Sequence, residues 1–290
     1  MHFHSFCFCS ARVAHMTPHG HMQIPPKTVN MGLSQFQQES AVSVSPLPSP
    51  VSCPLEGASN FRDIGGYAAG SGSFRKGRVY RSDHLANLSS QDLDTLQELG
   101  IACSLDFRGA HERKRSPYQY SFLTSHALTV EPTVLPDFLD MLAKGEVDVK
   151  AAHGTMNKTY SEFVTAHAAT FGRVFDQLLD THTPLVLHCT AGKDRTGFAV
   201  ALLHRAAGVH PDDVMHDYLL TNQFFRRPDL PDNRGISDEV LDILWGVQPE
   251  FLETAFKTID KTHGNLENFF QNALKLSPAR RAALLERYTA

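Results

Sequence analysis

Apolar residues fall into two alternating patterns along this chain. Short apolar runs mark buried strands, and stripes at three- and four-residue spacing mark helices. Pro184-Leu185-Val186-Leu187 reads as a buried strand, and Phe198-Ala199-Val200-Ala201-Leu202-Leu203 as a buried helix closed by Gly208. Val79-Tyr80-Arg81 reads as a further strand, and the run from Ile101 to Phe107 as the next. Between them Ser89 or Ser90 caps a helix with Leu93, Leu96 and Leu99 on one face, and Gly100 ends it. Tyr160, Phe163, Val164, His167, Ala168, Phe171, Val174, Phe175 and Leu178 recur at helical spacing. This is a core-facing stripe, in which His167 reads as a satisfied core histidine. Pro211 opens another helix, Asp212 and Asp213 suit its positive end, and Val214, Tyr218 and Leu219 face inward. From Ser237 to Ala290 several short helices are expected. Lys275, Arg280, Arg281 and Arg287 give the last of them a basic face, read as solvated surface.

Composition narrows the picture. The chain has 290 residues, of which 42% are hydrophobic, enough for one sizeable core. A net charge of −4 excludes a blanket attraction to nucleic acid. Five scattered cysteines, with no Cys-x-x-Cys pair, make neither a disulfide framework nor a thioredoxin-like site. Residues 1–52 carry few charges, little periodicity and a Ser/Pro run from Ser43 to Pro54, and read as a disordered extension. His2, His4, His15, His19 and His21 in it suit a flexible tail better than a metal site, and Met16, Met22 and Met31 are later candidate starts. No stretch approaches membrane-spanning length, so a cytoplasmic protein is expected, with an exported effector as the alternative.

The chemistry concentrates in His188-Cys189-Thr190-Ala191-Gly192-Lys193-Asp194-Arg195-Thr196-Gly197, framed by the strand and the helix. Amides at a helix start have no partners inside the helix and lie at the positive end of its dipole. The segment from Thr190 to Arg195 is expected to curl its amides into an anion nest for a phosphate, with Gly192 where the backbone bends. Arg195 offers a planar fork to two phosphate oxygens, and Lys193 a second, mobile positive charge. Such surroundings favour a thiolate, which makes Cys189 the candidate nucleophile. Thr196 is placed to donate to the sulfur, and His188 to orient the loop. A Walker A reading fails, because Asp194 follows Lys193 and His188 stands where a glycine is needed.

At these residues the chain resembles the atypical bacterial and fungal tyrosine phosphatases, often called triple-specificity or lipid-type cysteine phosphatases. Asn60-Phe61-Arg62-Asp63-Ile64-Gly65-Gly66 is similar to the opening motif of that family. So are Arg81-Ser82-Asp83 with Leu85, Asp106-Phe107-Arg108 with Glu112, and Tyr218-Leu219-Leu220-Thr221-Asn222. The resemblance covers about residues 53–290 and implies an α/β fold, a central mostly parallel sheet flanked by helices. It implies phosphomonoester hydrolysis with no metal or other cofactor. Protein phosphotyrosine is the leading substrate, with phosphoinositides and phosphoserine or phosphothreonine as further ones; the loop lysine suits the phosphoinositide. Residues 113–155, with Pro117, Pro132, Pro136 and a short helix near Phe138 to Lys144, are the expected lid. The single tryptophan, Trp245, stands in no Trp-Pro-Asp loop, so the acid is sought elsewhere: Asp194 first, Asp106 second, Asp137 third. Arg62, Asp63, Arg81 and Arg108 invite functional readings, Arg108 as a ligand contact or a brace for Glu112, but for each a fold-bracing ion pair is at least as good a reading. The alternatives are a phospho-binding module without turnover and a thiol-based arsenate reductase or sulfurtransferase. The latter's candidate partner thiol is Cys103, which strand alternation puts opposite Asp106.

Overall fold

The computed structural model describes residues 54–134, 140–141, 144, 146–227 and 236–290. Its central sheet has the strand order β1 (Arg62–Asp63), β4 (Val79–Ser82), β7 (Leu185–His188), β5 (Cys103–Asp106) and β6 (Thr124–Ala127). β1 runs antiparallel to β4, and the other four strands are parallel to one another. β2 (Ala68–Ala69) and β3 (Gly72–Ser73) form a separate hairpin. Ser82, His188 and Asp106 stand level across the three inner strands. The carboxyl ends of these strands thus share one edge, where parallel sheets present their ligand sites.

Both faces of the sheet are covered, which is why β7 is buried throughout and apolar up to His188. Leu185 and Leu187 join the larger core with Val79, Cys103 and Leu105. Val186 joins the smaller one with Tyr80, Leu96 and Phe61. The two-residue period leaves Asp106 on the face opposite Cys103 and Leu105.

The helices are α1 (Ser90–Glu98), α2 (Ala110–Arg115), α3 (Val149–Thr165), α4 (Ala168–Asp180), α5 (Asp194–Ala207) and α6 (Pro211–Leu219). Then follow α7 (Thr221–Phe224), α8 (Asp238–Trp245), α9 (Pro249–His263), α10 (Leu266–Asn268) with a π-turn over Phe269–Ala273, and α11 (Pro278–Tyr288). Ser89 caps α1, its hydroxyl accepting from Asp92 N at 3.2 Å while the Asp92 carboxylate accepts from Ser89 N at 2.9 Å. α5 is buried along almost its whole length. Its Phe198 meets Phe171 of α4 edge-on, with ring centroids 4.9 Å apart.

Two expectations are corrected. The long apolar stripe is broken between Thr165 and Ala168, and His167 sits at the break. It is half-buried, its carbonyl accepts from Phe171 N at 3.1 Å, and its Nε2 has no hydrogen-bond partner. The ring does bond the Glu131 backbone, so it is satisfied at one nitrogen only. The basic face of α11 is a clamp rather than open surface. Arg281 donates to Ala206 O at 2.7 Å, Arg287 to Thr181 O at 3.0 Å, and Arg280 pairs with Asp176. These carbonyls end α5 and α4, where cations complement the helix dipole.

The expected lid region holds β6, an exposed polar edge strand. Asp137, most of the helix expected near Phe138 to Lys144, and residues 1–52 lie outside the described residues. No helix among the described residues is long and apolar enough to cross a membrane.

Candidate active site

The loop that follows β7 is shaped from behind. Gly192 has φ +63°, and a Cβ there would meet Ser82 O at 2.2 Å. Asn60 Nδ2 donates to Gly192 O at 2.8 Å and to Ala191 O at 3.4 Å. Arg81 Nη2 donates to Gly192 O at 2.7 Å, and His84 N to Thr190 O at 3.2 Å. In a planar trans peptide the carbonyl and the following N–H point in opposite directions. Three carbonyls held outward therefore turn the amides of residues 191–193 to the inner side of the loop. There they add to the free N–H groups at the start of α5.

A buried charge cluster anchors those donors. Asp217 on α6 accepts from Arg62 Nε at 3.2 Å and Arg81 Nη1 at 2.8 Å, with all three side chains at most 2% exposed. Burial opposes the Asp217 charge, but the two guanidiniums outweigh it and hold the carboxyl far below its usual range. Burial, with Arg81 as neighbour, pulls the Arg62 guanidinium down to about 10. Two cations against one anion leave positive charge behind the loop. Asn60 itself has φ +59°, a conformation that asparagine tolerates better than most residues.

Cys189 is 2% exposed at the end of β7. His188 beside it is fully buried, and burial lowers its pKa to about 4, so the ring is neutral. Its Nε2 lies 2.6 Å from the Tyr118 hydroxyl and its Nδ1 3.3 Å from Cys189 O. Arg195 donates to both oxygens of Glu112, at 2.7 and 2.8 Å. Thr190 Oγ1 also donates to Glu112, as does Gly109 N at 2.7 Å. Burial opposes the Glu112 charge, yet the Arg195 bonds bring its pKa down to about 2. Burial likewise opposes the Arg195 charge, which the Glu112 bonds and the proximity of Cys189 raise above its ordinary range.

Glu112 is thus braced by Arg195, a correction to the reading of Arg108 as its brace. Arg108 closes back on Asp106, two residues away, with Nη2 to Oδ2 at 2.9 Å. Asp106 is buried, which raises its pKa, but His188 and Arg108 more than offset this and hold it below the usual carboxylate range. It is an ion-pair partner and a poor proton donor. Arg62 and Arg81 brace the fold as read from the sequence, and Asp63 accepts from Gly65 N at 2.8 Å and from Gly77 N.

Lys193 also departs from expectation. It is 3% exposed, and its Nζ donates to Leu244 O at 2.7 Å and Gly246 O at 2.9 Å. The last carbonyls of α8 lack helical partners, and the ammonium satisfies two of them. It is a fixed tie, not a mobile charge. Asp194, 24% exposed, opens α5 and accepts from the Tyr160 hydroxyl at 3.0 Å. The Thr196 hydroxyl is buried and has no hydrogen-bond partner. Among the described residues no group of three or more His, Cys, Asp or Glu side chains is placed to hold a metal ion.

Asn60, Asp217 and the true partner of Glu112 escaped the sequence reading as site elements. Asp217 carried a signal: it is a charge beside the inward positions Val214 and Tyr218, where an unpaired carboxylate is not tolerated.

A mostly parallel sheet whose central strand runs into a cysteine, an amide-lined loop and a helix-borne arginine defines a cysteine-dependent phosphatase. The chain belongs to the tyrosine phosphatase family, whose model matches residues 53–290. A Cupriavidus necator protein named "Putative tyrosine-protein phosphatase" is 33% identical over 229 residues, covering 76% of this chain and 83% of its own length. The triple specificity protein phosphatase PtpB of Mycobacterium tuberculosis is 32% identical over 263 residues, covering 76% of this chain and 92% of its own. The solved structure of P. aeruginosa TpbA covers 63% of this chain and 86% of its own at 14% identity and a TM-score of 0.32, an overlap too slight to bear on the fold.

Proposed function

We propose that this protein hydrolyses phosphotyrosine in proteins, with Cys189 as nucleophile. The Cys189 sulfur attacks phosphorus as the bond to the leaving oxygen breaks, and Asp194 gives that oxygen a proton. Water then attacks the phosphocysteine, Asp194 takes a proton from it, and the S–P bond breaks to return the thiolate and release phosphate. The Thr196 hydroxyl donates to the departing sulfur; that it is buried without another partner supports this role. The backbone amides at Thr190, Ala191, Gly192 and Lys193 line the phosphate seat. Arg195 gives one edge of its guanidinium to Glu112, which leaves the Nε–Nη2 edge for two phosphate oxygens.

The observation that carries this reading is the set of outward-held carbonyls at Thr190, Ala191 and Gly192, because it builds a seat for a dianion beside a buried thiol. The triple specificity in the name of the mycobacterial relative supports substrates beyond phosphotyrosine, for which phosphoserine/phosphothreonine and phosphoinositides are the candidates. Lys193, tied to α8, lends the phosphoinositide no support. The arsenate reading has lost its partner thiol, since Cys103 is packed in the larger core and burial pushes it up. A reducing compartment, the cytoplasm, suits an enzyme that works through a free thiol.

Rapid quenching with a labelled phosphotyrosine peptide checks the mechanism. Label is expected on the parent protein as an acid-stable thiophosphate ester and absent from Cys189→Ser, which is expected to turn over nothing. Turnover surviving in Cys189→Ser refutes the reading. Parallel rates on phosphotyrosine peptide, phosphoserine peptide and phosphoinositide rank the substrates.

A further inference from the structure

Two segments take no part in the reaction above, the aromatic stripe of α3 and the Tyr-Leu-Leu-Thr-Asn run from the end of α6 into α7, yet both lead to Asp194. Tyr160 on α3 is fully buried and donates its hydroxyl to Asp194 Oδ1 at 3.0 Å. The Tyr218 hydroxyl on α6 lies 2.6 Å from that of Tyr160. Tyr160 has a single hydroxyl proton, and it is engaged by the carboxylate, so Tyr218 donates to Tyr160. The result is a chain of buried hydroxyls ending on Asp194, each bond polarising the next. Helix α5 is cut to fit it: a Cβ at Gly197 would meet Tyr218 Cδ2 at 2.9 Å.

The other charges facing Asp194 are its two chain neighbours. Lys193 Nζ is 3.6 Å from Oδ2, and Arg195 interacts with the carboxylate. Burial first, and the Asp194 charge next, push both tyrosines well above their ordinary range, so Tyr160 stays a donor at working pH.

We propose that Tyr160 is a positioning residue for Asp194, supported by Tyr218, and that it confines the transferable proton to Oδ2. The inference rests on Asp194 being the acid of the reaction proposed above. A hydroxyl donated to Oδ1 occupies that oxygen, so the neutral carboxyl carries its proton on the other. The same bond favours the carboxylate, the form that accepts a proton from water in the second step. The wall formed by α3 and α6 thereby fixes which oxygen faces the leaving group.

The test is kcat/KM against pH for the parent protein, Tyr160→Phe, Tyr218→Phe and Asp194→Asn. Each is assayed on p-nitrophenyl phosphate, whose leaving group needs little protonation, and on a phosphotyrosine peptide, whose leaving group needs more. In Tyr160→Phe the alkaline limb is expected to move up by about half a pH unit or more. Its rate on the peptide is expected to fall about tenfold further than on the nitrophenyl ester. Tyr218→Phe moves the limb the same way by less. An unmoved limb in Tyr160→Phe, with equal losses on the two substrates, overturns the positioning role while Asp194→Asn still reports the acid. An alkaline limb retained in Asp194→Asn removes the acid assignment and the inference with it. Should Tyr160→Phe prove unfolded by circular dichroism, Tyr218→Phe decides, and an unmoved limb there overturns the inference.

Discussion

At the scale of single residues, the site depends on side chains that never meet substrate. Glu112 takes one edge of Arg195 and so dictates where the other edge points. Glu112→Gln keeps the size but loses an acceptor and the charge. Turnover of p-nitrophenyl phosphate is expected to fall about 100-fold, the scale at which small misplacements act, with far-ultraviolet circular dichroism unchanged. A loss under threefold would show that Arg195 needs no such guide. Lys193 gives a different lesson. The loop motif suggests a cation facing the ligand, whereas the residue answers the unpaired carbonyls of α8.

At the scale of elements, the strand–loop–helix unit was the most legible part of the chain. Its apolar run and its helix needed no long-range information, and β7 and α5 stand where the pattern put them. The same holds for α1 with its serine cap and for α6 with its first-turn proline. β6 escaped because an edge strand of Thr-Ser-His-Ala, mostly exposed, carries no apolar signature. The break at His167 escaped because α3 and α4 bury neighbouring faces, so one periodic stripe runs across both. Within the loop, Gly192 has no substitute. Gly192→Ala would set a Cβ against the backbone of Ser82 at a positive φ, a strain of about 1–3 kcal/mol. Orthovanadate is expected to raise the melting temperature of the parent protein and to leave that of Gly192→Ala unmoved. An equal rise in both would show that the loop keeps its shape without the glycine.

At the scale of the whole molecule, the buried charges set the acid limit of the fold. The folded pKa of His188 lies near 4, below its ordinary 6.5, because burial excludes the proton that the unfolded chain binds. Its contribution is complete above 6.5 and is lost as pH falls from there towards 4, on the order of 3 kcal/mol. Glu112, with a folded pKa near 2 against 4.5, adds stability present above 4.5 and lost as pH falls through 2. Asp83 runs the other way: burial raises it to about 6 from 3.8, so protonation between those values favours the folded state. Urea midpoints are expected to fall between pH 7 and pH 5, and less steeply in His188→Gln; identical slopes would remove His188 as the cause.

The loop is held in shape by Asn60 and Arg81, and Arg81 is held in turn by Asp217 and Thr221. These contacts span more than half the sequence. During synthesis the segment with the thiol therefore leaves the ribosome before Asp217 and Thr221 can lock its scaffold. Until the later helices dock, the loop lacks the anchored partners that hold its carbonyls outward.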